Sequence, residues 1–159
     1  MNGHSWATSV PLPVDDIRRC AADSDLLRAV RRLYDELDAD IASRNPECFN
    51  RGACCRFGAF GHRLFVTPVE LAYFSAVSGG PIRAVQAADA CPYQADGRCI
   101  ARNARPAGCR IFFCEPDSRS WQPELTERAI ARLKELHRRF GVPYAYADWM
   151  PALEQMAAV

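Results

Sequence analysis

Seven of the eight cysteines fall within residues 48 to 114: Cys48, Cys54, Cys55, Cys91, Cys99, Cys109 and Cys114, with Cys20 alone upstream. Thiols gathered in this way can pair as disulfides, fill a core as small apolar groups, or ligate metal as thiolates. An odd count argues against a disulfide framework, and the neighbours Cys54 and Cys55 could bond each other only with strain. Free cysteine is often buried, but Gly, Pro and Arg flank these seven, which is the composition of loops. The pattern predicts metal ligation. Thiolates must converge at roughly 2.3 Å on an ion, so the ligands come from more than one turn. Gly52, Gly97 and Gly108 each stand close to a cysteine, where a tight backbone turn could aim sulfur inward.

Spacing bears on which metal. Structural zinc sites favour Cys-x2-4-Cys knuckles, and Cys109 and Cys114, with four residues between them, make the one pair within that range. The other gaps hold five, seven and nine residues between cysteines, apart from the adjacent Cys54-Cys55 and the long stretch that separates Cys55 from Cys91. Iron-sulfur clusters accept wider spacing, so iron or an iron-sulfur cluster is favoured and zinc is the alternative. Seven ligands exceed one four-ligand site and fall one short of two. His62 could complete a second site, although a lone histidine before a strand is more often structural. Four arginines lie between Cys91 and Cys114 against the single acid Asp96. Arg105 and Arg110, beside the turn and a ligand, are expected to hydrogen-bond sulfur and offset its charge. Arg98 and Arg102 read as solvated surface. Cys20 reads as a buried helix thiol. The sequence contains no Cys-x3-Cys-x2-Cys run, thioredoxin Cys-x2-Cys, P-loop, dinucleotide fingerprint or His-Glu-x2-His helix.

The second group runs Cys91-Pro92, Gly97-Arg98-Cys99, then Arg105-Pro106-Ala107-Gly108-Cys109-Arg110-Ile111-Phe112-Phe113-Cys114. This segment resembles the CxxCxxCC-type cysteine-cluster family, described as zinc- or iron-chelating domains, with some members labelled iron-sulfur oxidoreductases. Flagellin lysine methylases contain a related cluster. Thr67-Pro68-Val69-Glu70-Leu71 after the cysteine pair is similar to the family as well, so the resemblance covers residues 45 to 115. It implies that all seven clustered cysteines are ligands. The first loop departs from the pattern, with one cysteine and a five-residue gap before the pair. Lysine methylation itself is not expected, because the chain is short and shows no second region for a methyl donor.

The elements that must position these loops are mainly helical with minor β: a small single domain of helices supporting two cysteine-rich metal-binding loops. Residues 1 to 14 read as a loose arm, 15 to 145 as the cysteine-cluster domain, and 146 to 159 as an apolar tail packed on it. A short helix is expected over Val14 to Ala22. Ser24 should cap a longer helix to Ala42, burying Leu26, Val30, Leu33, Leu37 and Ile41. Asn45-Pro46 ends it. His62 to Val66 reads as a strand, and Pro68 to Val77 as a helix capped by Thr67. The second cysteine segment has no clean period, with turns at Cys91-Pro92, Asp96-Gly97 and Arg105-Pro106. Pro123 to Phe140 reads as a helix on the face Leu125, Ala129, Ile130, Leu133, Leu136 and Phe140, closed by Gly141.

A net charge of +1 in 159 residues gives no field for nucleic acid or a membrane surface. No apolar run is long enough to span a bilayer, and Met1 to Val14 lacks the basic start and apolar core of a leader. These features predict a cytoplasmic protein with reduced thiols. The expected function is a redox or catalytic metalloprotein, with an oxidoreductase as one form of it, and an unidentified protein or small-molecule partner. A zinc-stabilised interaction module and a metal carrier are the alternatives.

Overall fold

The computed structural model describes residues 10–48, 53–87 and 89–159. Most of the N-terminal arm, and Gly52 of the first loop, lie outside them. Helix α1 (Val14–Ala21) buries Ile17 and Cys20, and α2 (Ser24–Ser43) buries the expected stripe together with Tyr34. The cap of α2 is Asp23 and not Ser24: its carboxylate accepts from the N–H groups of Asp25 (2.9 Å) and Leu26 (3.2 Å). A carboxylate facing two free N–H groups is the stronger cap, since it also complements the helix dipole.

A 3₁₀ turn (Ala53–Cys55) and the single-turn helix α3 (Phe57–Phe60) follow. The expected strand shrinks to β1 (Phe65–Val66), which leads into α4 (Pro68–Val77). Every residue of α4 from Pro68 to Phe74 is buried. A helix apolar all round belongs inside a fold, and α1 and α2 both pack on it. Beyond it, β2 (Gln94–Ala95) and β3 (Arg98–Cys99) form a hairpin, and α5 (Ala107–Ile111) packs against α2. Helix α6 (Gln122–Phe140) follows, packing on α2 and α5 and ending at Gly141 with φ +63°. Its buried side is Leu125, Ala129, Leu133, Leu136 and His137, with Ile130 and Phe140 at its margin.

The apolar tail does pack on the domain, and it is structured. Strand β4 (Ala147–Asp148) pairs antiparallel with β1, and α7 (Trp149–Ala157) buries Trp149, Met150, Ala152, Leu153 and Met156. Helices dominate and the four strands among the described residues are two residues each. No helix of the described residues is long and apolar enough to cross a membrane.

One buried carboxylate ties these elements together. Glu70, three residues into α4, accepts from the Thr67 N–H (2.9 Å) and hydroxyl (3.0 Å), the return half of a capping box. Its other oxygen accepts from the Tyr34 hydroxyl of α2 (3.2 Å) and the Ala107 N–H that opens α5 (2.8 Å). Burial raises its pKa, against the pull of these four donors.

Candidate metal centre

Backbone pairing brings the two cysteine segments together. The Cys91 N–H donates to the Cys55 carbonyl (2.9 Å) and the Gly58 N–H to the Asp89 carbonyl (3.1 Å). The chains approach so closely that a Cβ on Gly58 would sit 2.4 Å from the Asp89 Cβ, so glycine is required there. The hairpin turns through Asp96 and Gly97, with φ +50° and +74°. Two left-handed residues between paired strands suit the right-handed twist of a hairpin, and this one places Cys99 opposite Gln94. Cys109 comes from α5, whose start Glu70 fixes. Gly108 lets that helix close on β1, where a Cβ would meet the Phe65 carbonyl oxygen at 3.3 Å.

All seven clustered cysteines line one cavity of about 100 Å³. Cys54 Sγ stands 3.8 Å from Cys55 Sγ, and Cys91 and Cys99 are near enough to Cys55 to raise its pKa along with Cys54. Cys109 lies beside these four, while Cys48 and Cys114 are exposed at the edge. No disulfide joins any of them. The walls are Phe57, Leu64, Phe74, Tyr93, Phe112 and Phe113, with Trp149 from α7. Trp149 Nε1–H donates to Cys91 Sγ (3.3 Å), and the backbone N–H groups of Tyr93 and Ala101 favour thiolate at Cys91 and Cys99 respectively.

These contacts divide the thiols electrostatically. The Cys55 S–H is the first cause lowering Cys54 to about 6, and the Arg105 charge adds to it against burial. Cys99 is also lowered to about 6, by Cys55 first, then by the Ala101 N–H, Arg105 and Arg102. Cys91 is lowered by Cys55 and then by Trp149. Cys55 moves up, as the donor in each pair. A single S–H carries one proton, so it serves one of the three sulfurs at a time. Burial pushes Cys109 well up, and the neighbouring sulfurs add to the rise.

The arginines separate in a way the sequence did not suggest. Arg105 lines the cavity and its charge favours thiolate at Cys54, Cys99 and Cys109. Arg110 does not line it, which corrects the expected contact with sulfur. Its guanidinium is buried over the Tyr34 ring (4.2 Å), donating to Asp38 (2.6 Å) and to the carbonyls of Arg105 (2.7 Å) and Asn103 (2.8 Å). Arg110 therefore holds the loop that carries Arg105. Arg98 and Arg102 are exposed, yet both border the cavity. His62 hydrogen-bonds the Cys54 carbonyl through Nε2 (3.0 Å) and stacks on Phe112 (4.5 Å), a structural brace between the two loops. Cys20 is fully buried in α1.

Sequence reasoning missed Trp149 and Glu70. The distance of Trp149 from the cluster along the chain hid it, whereas the Thr67-x2-Glu70 capping spacing was available as a signal. Among the described residues, no three His, Cys, Asp or Glu side chains stand in a ready-made ion-holding arrangement. No family model, curated protein or solved structure matches the chain.

Proposed function

We propose that this cavity holds iron, as an iron-sulfur cluster or an iron centre, in a redox or catalytic role. The convergence of Cys54, Cys91 and Cys99 on Cys55 carries this reading. Four soft donors from two chain segments are the donor set such a centre requires. Two thiolates sharing a tetrahedral ion at roughly 2.3 Å are about 3.8 Å apart, which matches the separation of Cys54 and Cys55. Cys54 and Cys55 would hold the metal with Cys91 and Cys99, leaving Cys109, Cys48 and Cys114 as further ligands or neighbours. Trp149 and the backbone N–H groups of Tyr93 and Ala101 would bond the sulfurs, and Arg105 would offset their charge. Bound iron would supply a one-electron couple or a Lewis acid. The resemblance of residues 45 to 115 to zinc- or iron-chelating domains supports a bound metal without choosing between the two.

Zinc is the second reading, and the same Cys54–Cys55 separation favours it, because that spacing suits one closed ion. The cavity weighs toward a cluster. A water needs roughly 10–15 Å³ of such space, so about 100 Å³ leaves room for more than a lone ion. Protein produced without oxygen should contain stoichiometric iron, with acid-labile sulfide if a cluster is present. Stoichiometric zinc without iron selects the second reading, and the absence of both elements from folded protein overturns the metal assignment.

A further inference from the structure

At the mouth of the cysteine cavity, sharing its residues Cys48, Arg98, Cys99 and Arg102, opens a cleft of about 460 Å³. We infer that this cleft binds a small anion, a carboxylate or phosphate compound, against the Arg98 and Arg102 guanidinium groups.

Both arginines sit on defined turns. Arg98 is on β3 opposite Ala95, and Arg102 opens a 3₁₀ turn whose carbonyl accepts from Arg105 Nε (3.1 Å). Among the described residues, neither side chain meets a carboxylate, although Arg44, Arg110, Arg128 and Arg132 each do. Planar guanidinium groups that no carboxylate of the described residues meets suit carboxylate or phosphate oxygens, which they can bind in pairs. The competing role is to offset thiolate charge. Arg105 does so for three sulfurs, Arg102 acts on Cys99 alone and as its weakest named influence, and Arg98 is named for none of them. Both guanidinium groups border the cleft as well as the cavity, and the cleft's size falls in the range of small-molecule sites.

Binding needs no metal. That the anion is what the centre acts on rests on the function proposed above. Titration calorimetry at fixed ionic strength, with inorganic phosphate and citrate as probes, tests the site on metal-analysed protein. Saturable binding of either probe is expected, and the two arms show which anionic group is preferred. The R98Q/R102Q double variant should weaken it about tenfold or more, with thermal unfolding of metal-free protein unchanged, while R119Q, at an exposed arginine elsewhere, should leave it unaltered. Binding retained in the double variant, or no saturation by either probe, overturns the inference. So does metal loss in the double variant, because the arginines would then serve the thiolates. Anion binding by protein without metal would leave this site standing and remove the proposed centre; metal without anion binding would do the reverse.

Discussion

Glu70 and Cys55 are each the hub of a buried polar cluster, and α5 connects the two. The Glu70 carboxylate accepts four hydrogen bonds of 2.8–3.2 Å from α2, α4 and α5. Cys55 reaches only other sulfurs, weak donors and acceptors, with one proton to share among three of them. The carboxylate cluster is complete without a ligand, while the thiol cluster borders open space. Buried polar groups are normally satisfied, and an incompletely satisfied set calls for an explanation. The contrast teaches that the first cluster fixes shape and the second keeps capacity for a strongly interacting guest.

The largest expected effect is at Cys55. C55S should remove nearly all bound metal, because the substituted thiol is the one shared by the other three. Loss of a ligand that binds only the native state lowers stability by about 4 kcal/mol at a thousandfold saturation. C20S, remote in α1, should keep full metal content. Metal analysis alongside urea unfolding checks both, and equal loss in the two variants would break the distinction drawn here.

Glu70 should show the opposite pattern. E70A strands the Thr67 and Ala107 N–H groups and the Tyr34 hydroxyl, at about 1–3 kcal/mol for each group left buried and unsatisfied. Relaxation and water entry bring the expected total to about 3 kcal/mol, felt with or without metal. E70Q keeps the shape but turns one acceptor into a donor, so an intermediate loss is expected. If E70A were destabilised only in the metal-loaded protein, the carboxylate would belong to the centre.

Acid separates the clusters by sign. Cys54 and Cys99 are lowered to about 6, so their thiolate forms persist above that value and are lost as pH falls through it. Protons compete with metal for these thiolates, so acid should release it, at a pH below that at which the metal-free thiols protonate. Glu70 is raised, so its contribution to stability is present below its unfolded value of 4.5 and is lost as pH rises through the folded value. At pH values where the metal leaves, the Glu70 cluster should still hold the helices. Circular dichroism and metal release followed together should give two separate transitions; a single coincident one contradicts this division.

The helical frame was legible because its signals are local. The stripe from Leu26 to Ile41, the Pro68 start and the Gly141 stop all reappear. Cys20 was placed by the same logic. The cap of α2 went to Asp23 because Asp and Ser stand side by side and both cap well. What escaped was long-range. Nothing local in Trp149 points to Cys91, and nothing in Arg110 says that Asp38, 72 positions away, takes its charge. The Asp96-Gly97 turn was visible, but its strands are too short to show alternation.

The smallest effect, that of W149F, tests how far the wall of the cavity takes part. Trp149 contributes a ring packed edge-to-face on Phe74 (5.0 Å) and one N–H bond to Cys91. W149F keeps an aromatic ring and removes the donor without leaving a new buried donor behind. The loss should be about 1 kcal/mol, the size of one net hydrogen bond, with metal still bound. W149A removes the ring as well and should lose about 3–5 kcal/mol as a core truncation. If the bond matters to the centre itself, W149F should change the absorption spectrum or reduction potential while unfolding hardly moves. If Trp149 is only packing, the spectrum should stay unchanged and stability alone should respond, graded by the volume removed.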